Sequence, residues 1–138
     1  MSRDNRNFER NTKLKEQCKK LLDLNGKIRY AGVLNEFGRT LAGKMKTGLV
    51  PFLSPREARN EFFIHSTIFN LRKNHRDSIG ETEFIMLQSE KVNIVSFIKK
   101  QLIYYLTIER GVSLQELNDI VNTIKEKLET FEDIQTHD

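Results

Sequence analysis

The stretch from Glu83 to Arg110 restricts the possible folds more than any other part of the chain. It reads as three consecutive strands, 84–89, 92–98 and 102–108, separated by polar breaks at 90–91 and 99–101. The runs are rich in Ile, Val, Phe and Tyr and contain neither Gly nor Pro, which suits a well-buried pleated ladder. Strict apolar/polar alternation is weak. In the second run Val92, Ile94 and Ile98 share one face and Val95 and Phe97 the other; in the third, Leu102, Tyr104, Leu106 and Ile108 oppose Ile103 and Tyr105. An antiparallel meander that is apolar on both faces has to be covered on both sides, so helices should flank it. The expectation is a three-layer α/β domain of the α+β type.

A chain of 138 residues is one domain, and its 38% hydrophobic and 30% charged residues are those of a globular protein rather than a disordered one. The longest unbroken apolar run, 102–106, falls far short of the roughly 20 residues needed to span a bilayer. The N-terminal residues lack the apolar core of a secretory signal, and the single cysteine, Cys18, can form neither an internal disulfide nor a zinc site. These features fit a cytoplasmic protein with no membrane partner. The net charge of +4 is unevenly placed. Residues 1–30 carry nine Lys/Arg against four Asp/Glu, and residues 112–138 carry two against seven. If the first and last helices share one sheet face, these charges offset each other within the fold, which weakens a nucleic-acid reading.

Residues 1–8 are expected to be disordered, 9–131 to form the domain, and 132–138 to be a loose tail. Leu14, Cys18, Leu21 and Leu22 mark an amphipathic helix over 9–24, with Gly26 as its left-handed cap. A hairpin follows, turning at residues 35–38 where Gly38 supplies a positive φ. Gly32 and Gly43 within its strands signal a bulge or the close approach of another element. After a loop at 48–53, Ser54, Pro55 and Glu57 form a capping box with Pro at the first helical position. The helix they open should reach Lys73, with Ala58, Phe62, His65 and Phe69, and Ile64, Ile68 and Leu71 beside them, covering one side of the sheet. Ser113 and Glu116 form a second box before a stripe of Leu117, Val121, Ile124, Leu128 and Phe131. The expected order is α-β-β-α-β-β-β-α around five antiparallel strands, with the middle helix on one face and the terminal helices on the other.

This order resembles the roadblock/longin/profilin-like group of folds, and residues 29–43 resemble a roadblock first hairpin. Residues 30–43, 54–59 (SPREAR) and 80–97 are similar to a family of small archaeal proteins of unknown function. The resemblance covers residues 29–110 and includes no catalytic motif. What it implies is a fold whose members are commonly dimers, several of them scaffolds or regulators of small GTPases.

Each candidate chemistry has a plainer reading beside it. His65 lies on the apolar stripe of the middle helix with only Glu61 one turn away, and two ligands make a poor zinc site. Residues 43–48 hold the residue types of a phosphate loop in the wrong order and run toward Pro51 rather than into a helix. His75 and His137 sit in polar segments. Arg72, Lys73, Arg76, Lys99 and Lys100 could make a basic patch, but no aromatic residues interleave with them as a stacking platform requires. Phe62, Phe63 and Phe69 give the middle helix more aromatic girth than one sheet face absorbs, which points to burial on two sides.

The reading is a non-enzymatic interaction or scaffold module acting as a homodimer. Its expected interface is the helix over 54–73 and the edge strand beginning at Phe84, anchored by Phe63, His65, Phe69 and Phe84. A small GTPase or another protein is a further candidate partner, and no cofactor is implied. A small-ligand sensor is the alternative, with Tyr30, Ser96 and Tyr104 as the polar groups available inside the core; a basic nucleic-acid-binding protein is the second.

Overall fold

The computed structural model describes residues 3–134. In chain order the elements are α1 (Arg3–Leu22), β1 (Ile28–Leu34), β2 (Thr40–Met45), α2 (Pro55–Arg72), a 3-10 turn (Lys73–His75), α3 (Arg76–Ile79), β3 (Phe84–Gln88), β4 (Val92–Lys99), β5 (Leu102–Glu109) and α4 (Leu114–Thr130). The five strands pair antiparallel in one sheet ordered β2-β1-β5-β4-β3. The expected order of elements holds, with α3 added as a single turn.

The two apolar faces of the meander become two cores. Val95, Phe97, Leu102, Tyr104, Leu106 and Ile108 pack with Leu14, Cys18 and Leu21 of α1 and Leu117, Val121, Ile124 and Leu128 of α4. On the other side, Ile94, Ile103 and Tyr105 pack with Leu34 and with Phe62 and Phe69 of α2. Burial on both faces explains why β4 and β5 contain so few polar residues. The two terminal helices do share a face, and Lys13, midway along α1, lies 3.6 Å from Glu132 just past the end of α4.

The first hairpin departs from simple alternation. Ile28 pairs with Ile108 but Tyr30 pairs with Thr107, so Arg29 is the extra residue of a bulge. Ile28 therefore joins Ala31 and Val33 on the α1 side instead of sharing a face with Tyr30 and Leu34. At the turn Gly38 has φ +84°, and a Cβ there would lie 3.0 Å from the Phe62 carbonyl oxygen of α2. The turn is docked on that helix, where Asn70 Nδ2 donates to the Glu36 carbonyl at 2.8 Å.

Gly32 and Gly43 face each other across β1 and β2. The ring of Tyr30 lies over both: a Cβ on Gly32 would stand 2.6 Å from Tyr30 Oη, and one on Gly43 would also collide with it. The close approach these glycines allow is thus made by a side chain of β1 itself. Gly32→Ala is expected to cost about 1–2 kcal/mol, toward the low end for overpacking because what the new methyl meets can swing aside. In a Tyr30→Ala background the same change should cost little or nothing. Urea midpoints of the four proteins test this, and an undiminished cost in that background would show that the ring is not what the glycine accommodates.

Helix ends follow the sequence signals unevenly. Ser54 and Glu57 form the reciprocal box at α2, and Ser113 Oγ accepts from the Glu116 N–H at α4. Gly26 is not among the residues with positive φ. The last turn is closed instead by the Leu24 N–H donating to the Leu21 carbonyl at 3.2 Å, and beyond the helix Lys46 Nζ donates to the carbonyls of Asn25 and Gly26 at 3.3 and 2.6 Å. Helix α1 begins at Arg3 rather than Glu9, so residues 3–8 are helical and not disordered. A polar turn projecting past the core has no apolar periodicity to announce it. Residues 132–134 are held as well: Glu132 and Asp133 face Lys13 and Lys99, and Ile134 packs on the core. The rest of the expected N-terminal disorder and loose tail, 1–2 and 135–138, lies outside the described residues.

Candidate interaction surface

Helix α2 carries two apolar stripes on opposite sides. At about 100° per residue, Ala58, Phe62, His65 and Phe69 share one side, and Ile64, Ile68 and Leu71 fall on the other with Phe63 at its margin. The first stripe is the one against the sheet. The second faces outward, with Phe63 64% and Leu71 60% exposed and Ile64 also exposed. The sequence reading is therefore corrected twice. Ile64, Ile68 and Leu71 do not cover the sheet, and His65 and Phe69, expected as interface anchors, are buried in the domain's own core. One apolar side chain looks much like another in sequence, and only the sheet decides which stripe turns inward.

His65 has a local role there. Its Nδ1 lies 2.6 Å from Ser96 Oγ of β4, and its ring meets Tyr105 edge-on at 5.0 Å. Tyr105 in turn donates to Glu61 Oε1 at 3.3 Å. Burial lowers the His65 pKa to about 4, so the imidazole is neutral at pH 7, and Nε2 has no hydrogen-bond partner. Of the polar groups considered for ligand sensing, Ser96 is engaged by His65, and Tyr104 donates to Gln17 Oε1 at 2.6 Å. Tyr30 lies on its glycine pair. Among the described residues no cluster of three or more His, Cys, Asp or Glu is placed to hold a metal.

Strand β3 is a sheet edge, paired with β4 alone. Ile85 and Leu87 lie opposite Ser96 and Ile94 on the α2 face, and Phe84 lies opposite Phe97 on the α4 face, their rings 5.7 Å apart. Phe84 remains exposed. A groove of about 560 Å³ joins the outward stripe of α2 to this edge, lined by Ile68, Arg72, Ile79, Phe84 and Ile85 among others. Apolar side chains from two elements thus meet beside a row of unpaired backbone donors and acceptors, which are the materials of a protein contact.

The expected basic patch is assembled in part. Lys73, Arg76, Lys99 and Lys100 line one cleft of about 520 Å³ with Lys125, while Arg72 lines the neighbouring groove. The cleft also holds Glu81, Glu83 and Glu129, and Arg76 and Lys125 stand 3.6 and 3.4 Å from Glu81 and Glu83. Lys99 is engaged elsewhere: its Nζ donates to the carbonyls of Leu128 and Phe131, closing the C-terminal end of α4. A carbonyl-bonded lysine at a helix C-terminus is a structural cation. What remains is a mixed-charge cleft rather than a basic surface.

No family model matches the chain, and no curated protein is significantly similar to it in sequence. Solved structures are similar in shape. MglB, the gliding protein of Thermus thermophilus, superposes with TM-score 0.64 at 18% identity, over 88% of this chain and 87% of its own. The chain has a roadblock-like fold. A roadblock/LC7 domain from Streptomyces avermitilis superposes with TM-score 0.61 at 11% identity, over 84% of this chain and 94% of that one. Acanthamoeba castellanii profilin IB gives 0.56 at 12%, over 83% and 95%. In this roadblock-like arrangement α1 and α4 share one sheet face and α2 covers the other, and among the described residues only the single turn of α3 lies beside the outward stripe of α2, at Ile79. The sequence reading missed Ile85 and Leu87 as part of this surface. It places an edge at the strand beginning at Phe84, but of that strand's residues it singles out only Phe84.

Proposed function

We propose that the chain is a non-enzymatic interaction or scaffold module that self-associates through the outward stripe of α2 and the edge of β3. The observation that carries this reading is the second apolar stripe of α2, exposed beside an unpaired strand. A stripe used on one side only would place polar residues at 64, 68 and 71. A two-fold contact would let the same patch serve both copies, and homodimers of this kind are the commonest closed assembly. The roadblock resemblance adds a small GTPase or another regulatory protein as a second partner, bound by the dimer. Phe63 and Phe84 are the anchors retained from the sequence reading, joined by Leu71 and Ile68.

Sedimentation equilibrium on the wild type, Phe63→Glu and Leu71→Glu tests the proposal, with circular dichroism to verify folding. Both positions are exposed in the single chain, so the variants should fold. The expected result is a wild-type dimer whose dissociation constant rises at least about 10-fold in each variant, as truncation of a buried interface anchor gives. A wild type that is monomeric at high micromolar concentration would remove the proposal, as would folded variants that dimerise undiminished.

A further inference from the structure

The loop between β2 and α2 exposes apolar side chains from a rigidly held backbone. Val50 is 78% and Phe52 53% exposed, and Pro51 between them is exposed as well. A mobile loop could hide such residues, but this one is fastened. Arg29, buried at the β1 bulge, sends Nη1 to Glu109 Oε1 at 2.8 Å and Nη2 to the Val50 carbonyl at 3.2 Å. Its guanidinium also lies 4.3 Å from the centre of the Phe52 ring. The Leu49 N–H donates to the Lys46 carbonyl at 3.3 Å, which fixes the approach to the tip.

Two features of the tip suit lipid better than water. The Val50 carbonyl is bonded from within the protein, and Pro51 has no N–H, so two of the backbone groups that would be costly to dehydrate are already satisfied or absent. The flanking sequence is cationic: residues 44–59 hold Lys44, Lys46, Arg56 and Arg59 against Glu57 alone. Lys46 Nζ bonds two carbonyls, and Glu57 is tied to Ser54. An apolar tip flanked along the chain by basic residues is the pattern of an interfacial anchor on an anionic bilayer. A folded protein partner would need a pocket to receive such a tip, whereas a headgroup layer yields to it.

We infer that residues 49–53 form a peripheral membrane contact that seats Val50, Pro51 and Phe52 among the headgroups of anionic lipid. No helix among the described residues is long and apolar enough to cross a membrane; the contact inferred is a surface one, and it departs from the sequence expectation of no membrane partner. It does not use the outward stripe of α2 and stands or falls separately from self-association.

The chain has no tryptophan, so full-length Phe52→Trp carries one emission reporter at the tip. It is mixed with vesicles of phosphatidylcholine alone and with vesicles containing about 30% phosphatidylserine, a strongly anionic surface. The expected result is a blue shift and co-sedimentation with the anionic vesicles only, reversed near 1 M salt, where the screening length falls to about 3 Å. With wild-type side chains elsewhere, Val50→Asp should abolish co-sedimentation, and Lys44→Glu should weaken it at least about 5-fold, the worth of one basic residue at such a surface. Emission unchanged by either vesicle overturns the inference. So does binding that Val50→Asp leaves intact, which would reduce the effect to bulk charge. A blue shift that grows with protein concentration in the absence of lipid would assign the tip to a protein contact and overturn it equally.

Discussion

Glu109→Ala is expected to destabilise the fold by about 3 kcal/mol, the low end for stranding a buried charge, while Arg29→Met costs only about 1 kcal/mol. The asymmetry follows from where the two ends of the ion pair sit. The Arg29 side chain is 9% exposed and that of Glu109 37%. Removing the carboxylate leaves a guanidinium that cannot lose its proton in a nearly dry site, with only the Val50 carbonyl and the Phe52 ring for company. Removing the guanidinium leaves a carboxylate that can turn to water, and methionine refills the space. The double variant should therefore be more stable than Glu109→Ala alone. Urea denaturation of the four proteins decides the matter: equal single costs, or a reversed order, would mean that Arg29 is better hydrated than its burial indicates.

Acid should weaken the fold through His65. The imidazole is neutral in the folded state because burial lowers its pKa from 6.5 to about 4. Above pH 6.5 it is neutral in both folded and unfolded chains and contributes no pH dependence. As pH falls from 6.5 toward 4 the unfolded chain takes up the proton and the folded chain resists it, so stability drops by up to about 1.4 kcal/mol per pH unit, roughly 3 kcal/mol in all. Carboxylates add their own acid dependence, so the informative quantity is the difference from a variant. His65→Gln keeps a polar group for Ser96 and cannot titrate. It should be less stable than wild type at pH 7 and nearly equal to it at pH 4. A gap between the two proteins that stays constant over that range would show that His65 titrates normally.

The layered fold was legible because β4 and β5 announce two buried faces, and because Ser54 and Ser113 mark helix starts by chemistry that needs no tertiary partner. What was not legible depended on contacts distant in sequence. The bulge at Arg29 arises from pairing with β5, some eighty residues away, and it moved Ile28 to the other face. The sheet-facing side of α2 was ambiguous because Phe62 and Phe69 are no more apolar than Ile64 and Leu71; position against Tyr105 chose between them. Lys73, Arg76, Lys99 and Lys100 line one cleft, but the carboxylates among them come from the segment before β3 and from α4, which sequence proximity could not reveal.

The two ends of the sheet are unlike. Strand β3 runs in unbroken register with β4, whereas β2 carries an irregularity where Val33 pairs with Ala42 and Leu34 with Thr40, skipping Leu41. A regular edge is a template for another strand, and a bulged edge is a poor one. Joining two copies at β3 would consume both templates and leave a kinked strand at each outer end. Growth by strand addition would then terminate at two chains, so the same irregularity that interrupts the hairpin would act as a stop against filaments.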